Sequence, residues 1–215
     1  CPKPEATLGI LCYFSNEAQA LLFVESLRAE AASMRPQTLA AIEYFDDGAL
    51  RLIRGSTAHT GLLLPPSKAH WNFAVYTEWA QPSADTAPAE LTGRLLAAAG
   101  GHADDTWLAS DEPSLDKLKA FRHAVPEQVN ALIAERKRRY PELTKLGTDL
   151  SVPDDKLKPV MRLYRDDLTS AGLEHVIFGH IGNNHVHVNI LPRDMDEYAT
   201  GKRLYRKWAE QVVAW

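Results

Sequence analysis

Cysteine is scarce in this chain: Cys1 and Cys12 are all that its 215 residues carry. That excludes a disulfide-stapled scaffold. Cys12, inside an apolar strand pattern, reads as a small buried hydrophobe suited to a reducing cytoplasm. Long apolar runs are missing as well; none approaches the ~18 residues a membrane span requires, and no signal peptide is visible. There is no large excess of charge of either sign. The formal net charge of -4 gives no electrostatic reason to expect nucleic acid or an anionic membrane as partner. The one basic run, Arg136-Lys137-Arg138-Arg139, ends a predicted helix, where cations interact favourably with the C-terminus. Short repeats and low-complexity tracts do not occur, and apolar (45%) and charged (24%) contents are those of an ordinary globular protein. An initiator methionine is lacking too. The chain opens on the linker-like Cys1-Pro2-Lys3-Pro4 and stops at Val212-Val213-Ala214-Trp215 in mid-apolar pattern. The expectation is one domain over residues 1–215, cut from a longer polypeptide.

What is plentiful is imidazole in one place. Four of the eight histidines, His175, His180, His185 and His187, fall in or just before Phe178-Gly179-His180-Ile181-Gly182-Asn183-Asn184-His185-Val186-His187-Val188-Asn189-Ile190-Leu191-Pro192. From Asn184 onward polar and apolar residues alternate, so a β-strand would put His185, His187 and Asn189 on one face and Val186, Val188 and Ile190 on the other. A turn containing Gly182, Asn183 and Asn184 can fold His180 back toward His187. Neutral imidazole is the commonest protein metal ligand, whereas a polar strand face is more often just solvated; a functional site and a plain surface are both open on these residues alone.

Elsewhere the patterns predict a buried strand over 6–14, a helix capped by Ser15, and a strand over 38–45. Asp46 would cap a short helix to Ile53. A loop over 55–69 and a strand over 70–79 follow, then a helix opened by Pro88 and ended by Gly100-Gly101, and a strand over 106–110. The second half reads as helices over 114–121 and 126–139, a strand over 147–152, and a helix from Pro153 to about Ala171 stopped by Gly172. Strands over 174–179 and 184–191 and a last helix opened by Asp194 complete it. This order implies an α+β fold: antiparallel sheets with helices on one face, built from ferredoxin-like split-βαβ units, a unit that could occur twice.

With those residues in view, the chain resembles the C-terminal cap, or substrate-binding region, of FAD-linked oxidases such as the D-lactate, glycolate and D-2-hydroxyglutarate dehydrogenases. That family carries G-H-x-G-D-G-N-x-H-x-N. Gly179, His180, Gly182, His187 and Asn189 match it, while Asn183, Asn184 and His185 stand where the family has Asp, Gly and Asn. Gly147-Thr148-Asp149-Leu150-Ser151-Val152-Pro153 is similar to the family's TD-x-x-VP strand. Phe121-Arg122-His123-Ala124-Val125-Pro126-Glu127 is similar to a segment whose arginine holds the substrate carboxylate. Ala41-Ile42-Glu43-Tyr44-Phe45-Asp46 fits the opening βαβ more weakly.

The resemblance implies that His180 and His187 ligate a divalent metal, zinc or manganese, with His185 as a supplementary ligand or polar lining. It implies that Asn189 and Arg122 contact a 2-hydroxy acid, and Lys145 is a further anion-binding candidate. His123 reads as a surface or supporting histidine, and Asp149 as a structural hydrogen-bond acceptor. A third metal ligand and the catalytic base would lie beyond Trp215. FAD would be held by a flavin-binding domain ahead of Cys1, since nothing here resembles a phosphate-cradling glycine loop; the isolated fragment is expected to be inactive and to bind neither FAD nor metal tightly. Two other readings compete. One is a histidine-triad hydrolase, similar over His185 to Pro192 but with Asn189 where the third histidine belongs. The other is a non-enzymatic α+β ligand-binding module.

Overall fold

The computed structural model describes residues 6–33, 39–55, 68–81 and 86–215. The Cys1-Pro2-Lys3-Pro4 opening and most of the predicted 55–69 loop fall outside these ranges. Seven strands form one sheet in the order β4-β1-β3-β2-β6-β7-β5, with every neighbouring pair antiparallel. The strands are β1 (Ala6–Phe14), β2 (Leu39–Phe45), β3 (Phe73–Gln81), β4 (Thr106–Ala109), β5 (Leu146–Gly147), β6 (His175–His180) and β7 (His185–Ile190). The helices are α1 (Glu17–Ser33), α2 (Asp47–Arg54), α3 (Ala87–Ala98), α4 (Glu112–Lys137), α5 (Leu157–Ala171) and α6 (Met195–Val213).

The split-βαβ expectation is met twice. Strands β1 and β2, joined through α1, are parallel to each other with β3 between them. Strands β5 and β6, joined through α5, are likewise parallel with β7 between. The helices cover both faces rather than one. Along β1, Leu8, Ile10, Cys12 and Phe14 pack in a core shared with α1, α3, α5 and α6, while Leu11 and Tyr13 pack in a second core with α2 and α4. A central strand buried on both faces reads as an unbroken apolar run, and Leu8–Phe14 is buried throughout.

Local signals locate most element ends. Asp46 accepts from the backbone N–H of Ala49 at 2.7 Å, Asp194 from that of Glu197 at 2.9 Å, and Gly172 closes α5 at φ 63°. At α1 it is Asn16, not Ser15, whose side chain accepts the Gln19 N–H, at 3.0 Å. Two predictions are corrected. The helices expected over 114–121 and 126–139 are one, α4, with Pro126 inside it. Pro126 has no N–H for the Arg122 carbonyl and costs the helix roughly 3 kcal/mol. Burial of Phe121, Ala124, Val125, Val129 and Ile133 on both sides of the proline offsets this. The strand expected over 147–152 is shorter: only Leu146–Gly147 pair with β7, Thr148 adds one bond to the Val188 carbonyl, and the chain then leaves the sheet.

Candidate functional site

The β6–β7 hairpin decides where the imidazoles go. Phe178 pairs with His187 and His180 with His185, and one 3-10 turn, Ile181–Asn183, joins the strands. Asn184 closes that turn at φ 59°, a left-handed position that Asn tolerates better than other side-chain-bearing residues. Its buried carboxamide accepts from Arg28 of α1 at 2.5 Å and donates to Asp154 at 2.7 Å. Val186, Val188 and Ile190 go into the α1/α5 core. By alternation His185, His187 and Asn189 occupy the opposite face, the side of α2 and α4. Gly179 adopts φ 118°, and a Cβ there would stand 2.6 Å from the His187 ring, so a side chain would displace that imidazole.

His180 and His187 meet as expected, their ring centroids 5.6 Å apart; His185 lies 4.8 Å from His187 and 6.1 Å from His180. The His180 Nδ1–H donates to Glu43 Oε1 at 2.9 Å, and the His187 Nδ1–H to the Thr148 carbonyl at 3.2 Å. In its neutral form each ring then keeps its lone pair on Nε2. His185 is held the other way round, its Nε2–H donating to Asp149 Oδ1 at 2.7 Å. Asp149 Oδ1 is also 3.7 Å from His187 Nδ1. Asp149, His185 and His187 thus bring one ligand atom each within 4.8 Å of one another. His180 stands beside this trio and not in it. Asp149, expected to bond backbone, faces histidine instead.

Arg122 reaches the same face from α4. Its guanidinium donates to Glu43 Oε1 at 2.6 Å and to Glu78 Oε2 at 3.5 Å and lies 5.1 Å from the Tyr76 ring centroid, while the Tyr76 hydroxyl donates to Glu78 Oε2 at 2.9 Å. Burial, then the Glu78 carboxylate, push the Tyr76 phenol above its usual range. Arg122 is therefore one carboxylate away from His180, with both terminal nitrogens engaged. Asn189 is buried on the histidine side, its carboxamide packed over Gly147. Lys145 is exposed just before β5, and His123 is exposed on α4 next to Arg122. A cavity of about 420 Å³ opens beside the cluster, lined by Arg28, Ala31, Ala41, Glu43, His180 and Gly182 among others. Glu43 and Glu78 were passed over as site residues. The signal available was a lone carboxylate in each of two largely apolar strands.

The donor set fits a divalent ion of the zinc or manganese kind, which imidazole and carboxylate both ligate. Among the described residues the glycines at positive φ, Gly100, Gly172 and Gly179, are isolated along the chain and do not form a glycine-rich phosphate loop.

Comparison with known proteins places the chain in a family. The family described as FAD linked oxidases, C-terminal domain, matches residues 3–215. The mitochondrial D-2-hydroxyglutarate dehydrogenase of Bos taurus is 27% identical over 191 residues, which make up 88% of this chain and 31% of that protein. Among solved structures, p-cresol methylhydroxylase with substrate bound superposes with a TM-score of 0.62 at 11% identity, over 96% of this chain and 43% of that one. The 4-ethylphenol oxidase of Gulosibacter chungangensis, in its isoeugenol complex, gives 0.56 at 16% identity, over 98% and 45%. At those identities the structures speak for the fold alone. The chain spans about a third of the curated relative and under half of the solved ones.

Proposed function

The chain belongs to the C-terminal domain family of FAD linked oxidases, and from that premise we propose that it is the substrate-binding cap of an FAD-dependent dehydrogenase or oxidase acting on a 2-hydroxy acid. A flavin-binding domain of the same polypeptide is the partner this reading requires. The observation that carries it is the gathering of His180, His185 and His187 on one sheet face with centroids 4.8–6.1 Å apart, one carboxylate from Arg122. A likeness to histidine-triad hydrolases covers only His185 to Pro192, against residues 3–215 for the oxidase family. A stand-alone ligand-binding module does not account for that family match.

His180 and His187 would hold a divalent ion through Nε2, while Asp149 and His185, which meet on the Nδ1 side of His187, line the same face. Such an ion, when bound, acts as a Lewis acid toward the substrate hydroxyl, and the flavin is the hydride acceptor. Arg122 presents a fork suited to a carboxylate. Its 3.5 Å contact with Glu78 is the longer of its two and is the one a substrate carboxylate would take over. Asn189, buried in β7, and Lys145, exposed just before β5, are the further polar contacts this reading assigns.

The test is anaerobic reduction of the flavin in the full-length protein by D-lactate, glycolate or D-2-hydroxyglutarate. One of these should bleach the flavin. His187→Ala should lower kcat/KM about 100-fold, roughly 2.7 kcal/mol of transition-state stabilisation. Bleaching by 4-alkylphenols and by none of the hydroxy acids would overturn the substrate class.

A further inference from the structure

We infer that Glu43 is a positioning residue that sets which nitrogen of His180 faces the ligand and holds Arg122 beside it. This rests on the proposed role of the histidine cluster. Glu43 lies in β2 between Ile42 and Tyr44, whose side chains enter the other core, and its side chain is 7% exposed. A charge buried to that degree is retained only with partners. Glu43 has two, and they converge on one atom: Oε1 accepts from His180 Nδ1 at 2.9 Å and from Arg122 at 2.6 Å. The first bond requires Nδ1–H, so in the neutral ring the lone pair lies on Nε2. Donation of a histidine's second nitrogen to a carboxylate is how ligand imidazoles are commonly oriented. The second bond neutralises Arg122 without using its other nitrogen, which keeps the guanidinium in place when its Glu78 contact is exchanged.

A plain buried ion pair would need Arg122 alone. His180 is 56% exposed at its side chain, so water could satisfy its Nδ1. A fixed tautomer on so accessible a ring is therefore of use mainly to whatever meets Nε2. Two strands supply the pieces, β2 the carboxylate and β6 the imidazole. Their pairing at Tyr44–Gly179 and Phe45–Phe178 brings them together.

The experiment uses full-length protein labelled with 15N in its histidines. Nitrogen spectra give the His180 tautomer, assigned by loss of its signals in His180→Ala. Zn2+ titration is run on the same samples. Wild type should show a single Nδ1–H tautomer at His180, and Glu43→Ala a mixture of the two, with Zn2+ affinity lowered about 10- to 100-fold. Glu43→Gln keeps a carbonyl oxygen for the same donors and guards against misfolding; it should restore much of the tautomer preference. An unchanged His180 tautomer in both variants, or an Nε2–H ring in wild type, overturns the inference. Absence of Zn2+ binding by wild type would overturn the metal reading instead, while the tautomer still judges Glu43.

Discussion

Two arginines approach strand β2 from opposite faces of the sheet, and each meets carboxylates and an aromatic ring. Arg165, from α5, pairs with Glu17 at 3.1 Å, Asp47 at 3.1 Å and Asp46 at 3.4 Å and lies over Phe73; the Tyr44 hydroxyl donates to Glu17 at 2.6 Å. Arg122, from α4, pairs with Glu43 and Glu78 and lies over Tyr76. The first cluster is the more enclosed, its one outward link being the pair of Asp47 with the exposed Arg51. Its members tie α1, α2, β2 and α5 to one another, and Asp46 is wholly buried. The second is open, because Glu43 passes on to His180, whose imidazole is half exposed on the histidine face. Similar chemistry thus serves two ends, and what separates them is whether the last partner is interior or accessible.

Removing each arginine breaks the comparison most severely. Arg165→Met leaves Glu17 without its cation and Asp47 with only the exposed Arg51, and should cost about 3 kcal/mol of stability by urea unfolding. Arg122→Met should cost distinctly less stability and instead raise KM. Equal destabilisation by the two would erase the distinction between enclosed and open clusters.

A smaller effect comes from pH. Burial first, and the neighbouring Asp47 charge after it, raise Asp46 to about 7 against the pull of Arg165 and the Ala49 N–H. Burial opposes the Arg165 charge as well, but Tyr44, Asp46 and Glu17 outweigh it and hold the guanidinium protonated above its usual range. An acid whose folded value is raised stabilises the fold while protonated, so this contribution is complete below about 3.8 and fades as pH rises through about 7. Unfolding free energy should fall across that window by at most about 1.4 kcal/mol per pH unit. Asp46→Asn should flatten the slope, and an unchanged slope in that variant would assign it to other groups.

The smallest effect sharpens the open side. Glu78→Gln removes the competitor for the second Arg122 nitrogen and should lower KM for the hydroxy acid by up to about fivefold, under 1 kcal/mol. An increase in KM would mean that Glu78 helps to present Arg122.

Much of the scaffold was legible because its signals are local. Asp46 and Asp194 announce helix starts through their reach to a backbone N–H three residues on, Gly172 announces a stop, and the His185–Ile190 alternation announces a two-faced strand. The unread parts depend on distant partners. Pro126 looks like a break until the buried face of α4 is seen to run through it. Gly147 to Val152 looks like a strand until only its first residues find β7. Asp149 sits 36 residues from His185, and Glu43 lies 137 residues from His180, separations over which no spacing rule operates.

By itself, the sequence determined which residues could form a strand face of imidazoles and where the chain must turn, since both follow from alternation and backbone freedom over a few residues. Only the tertiary structure decided that His180 answers to Glu43, that Asp149 joins His185 and His187, and that helices cover both faces of the sheet. Those outcomes are set by strand pairing and by the need to partner each buried charge, and both are properties of the assembled sheet.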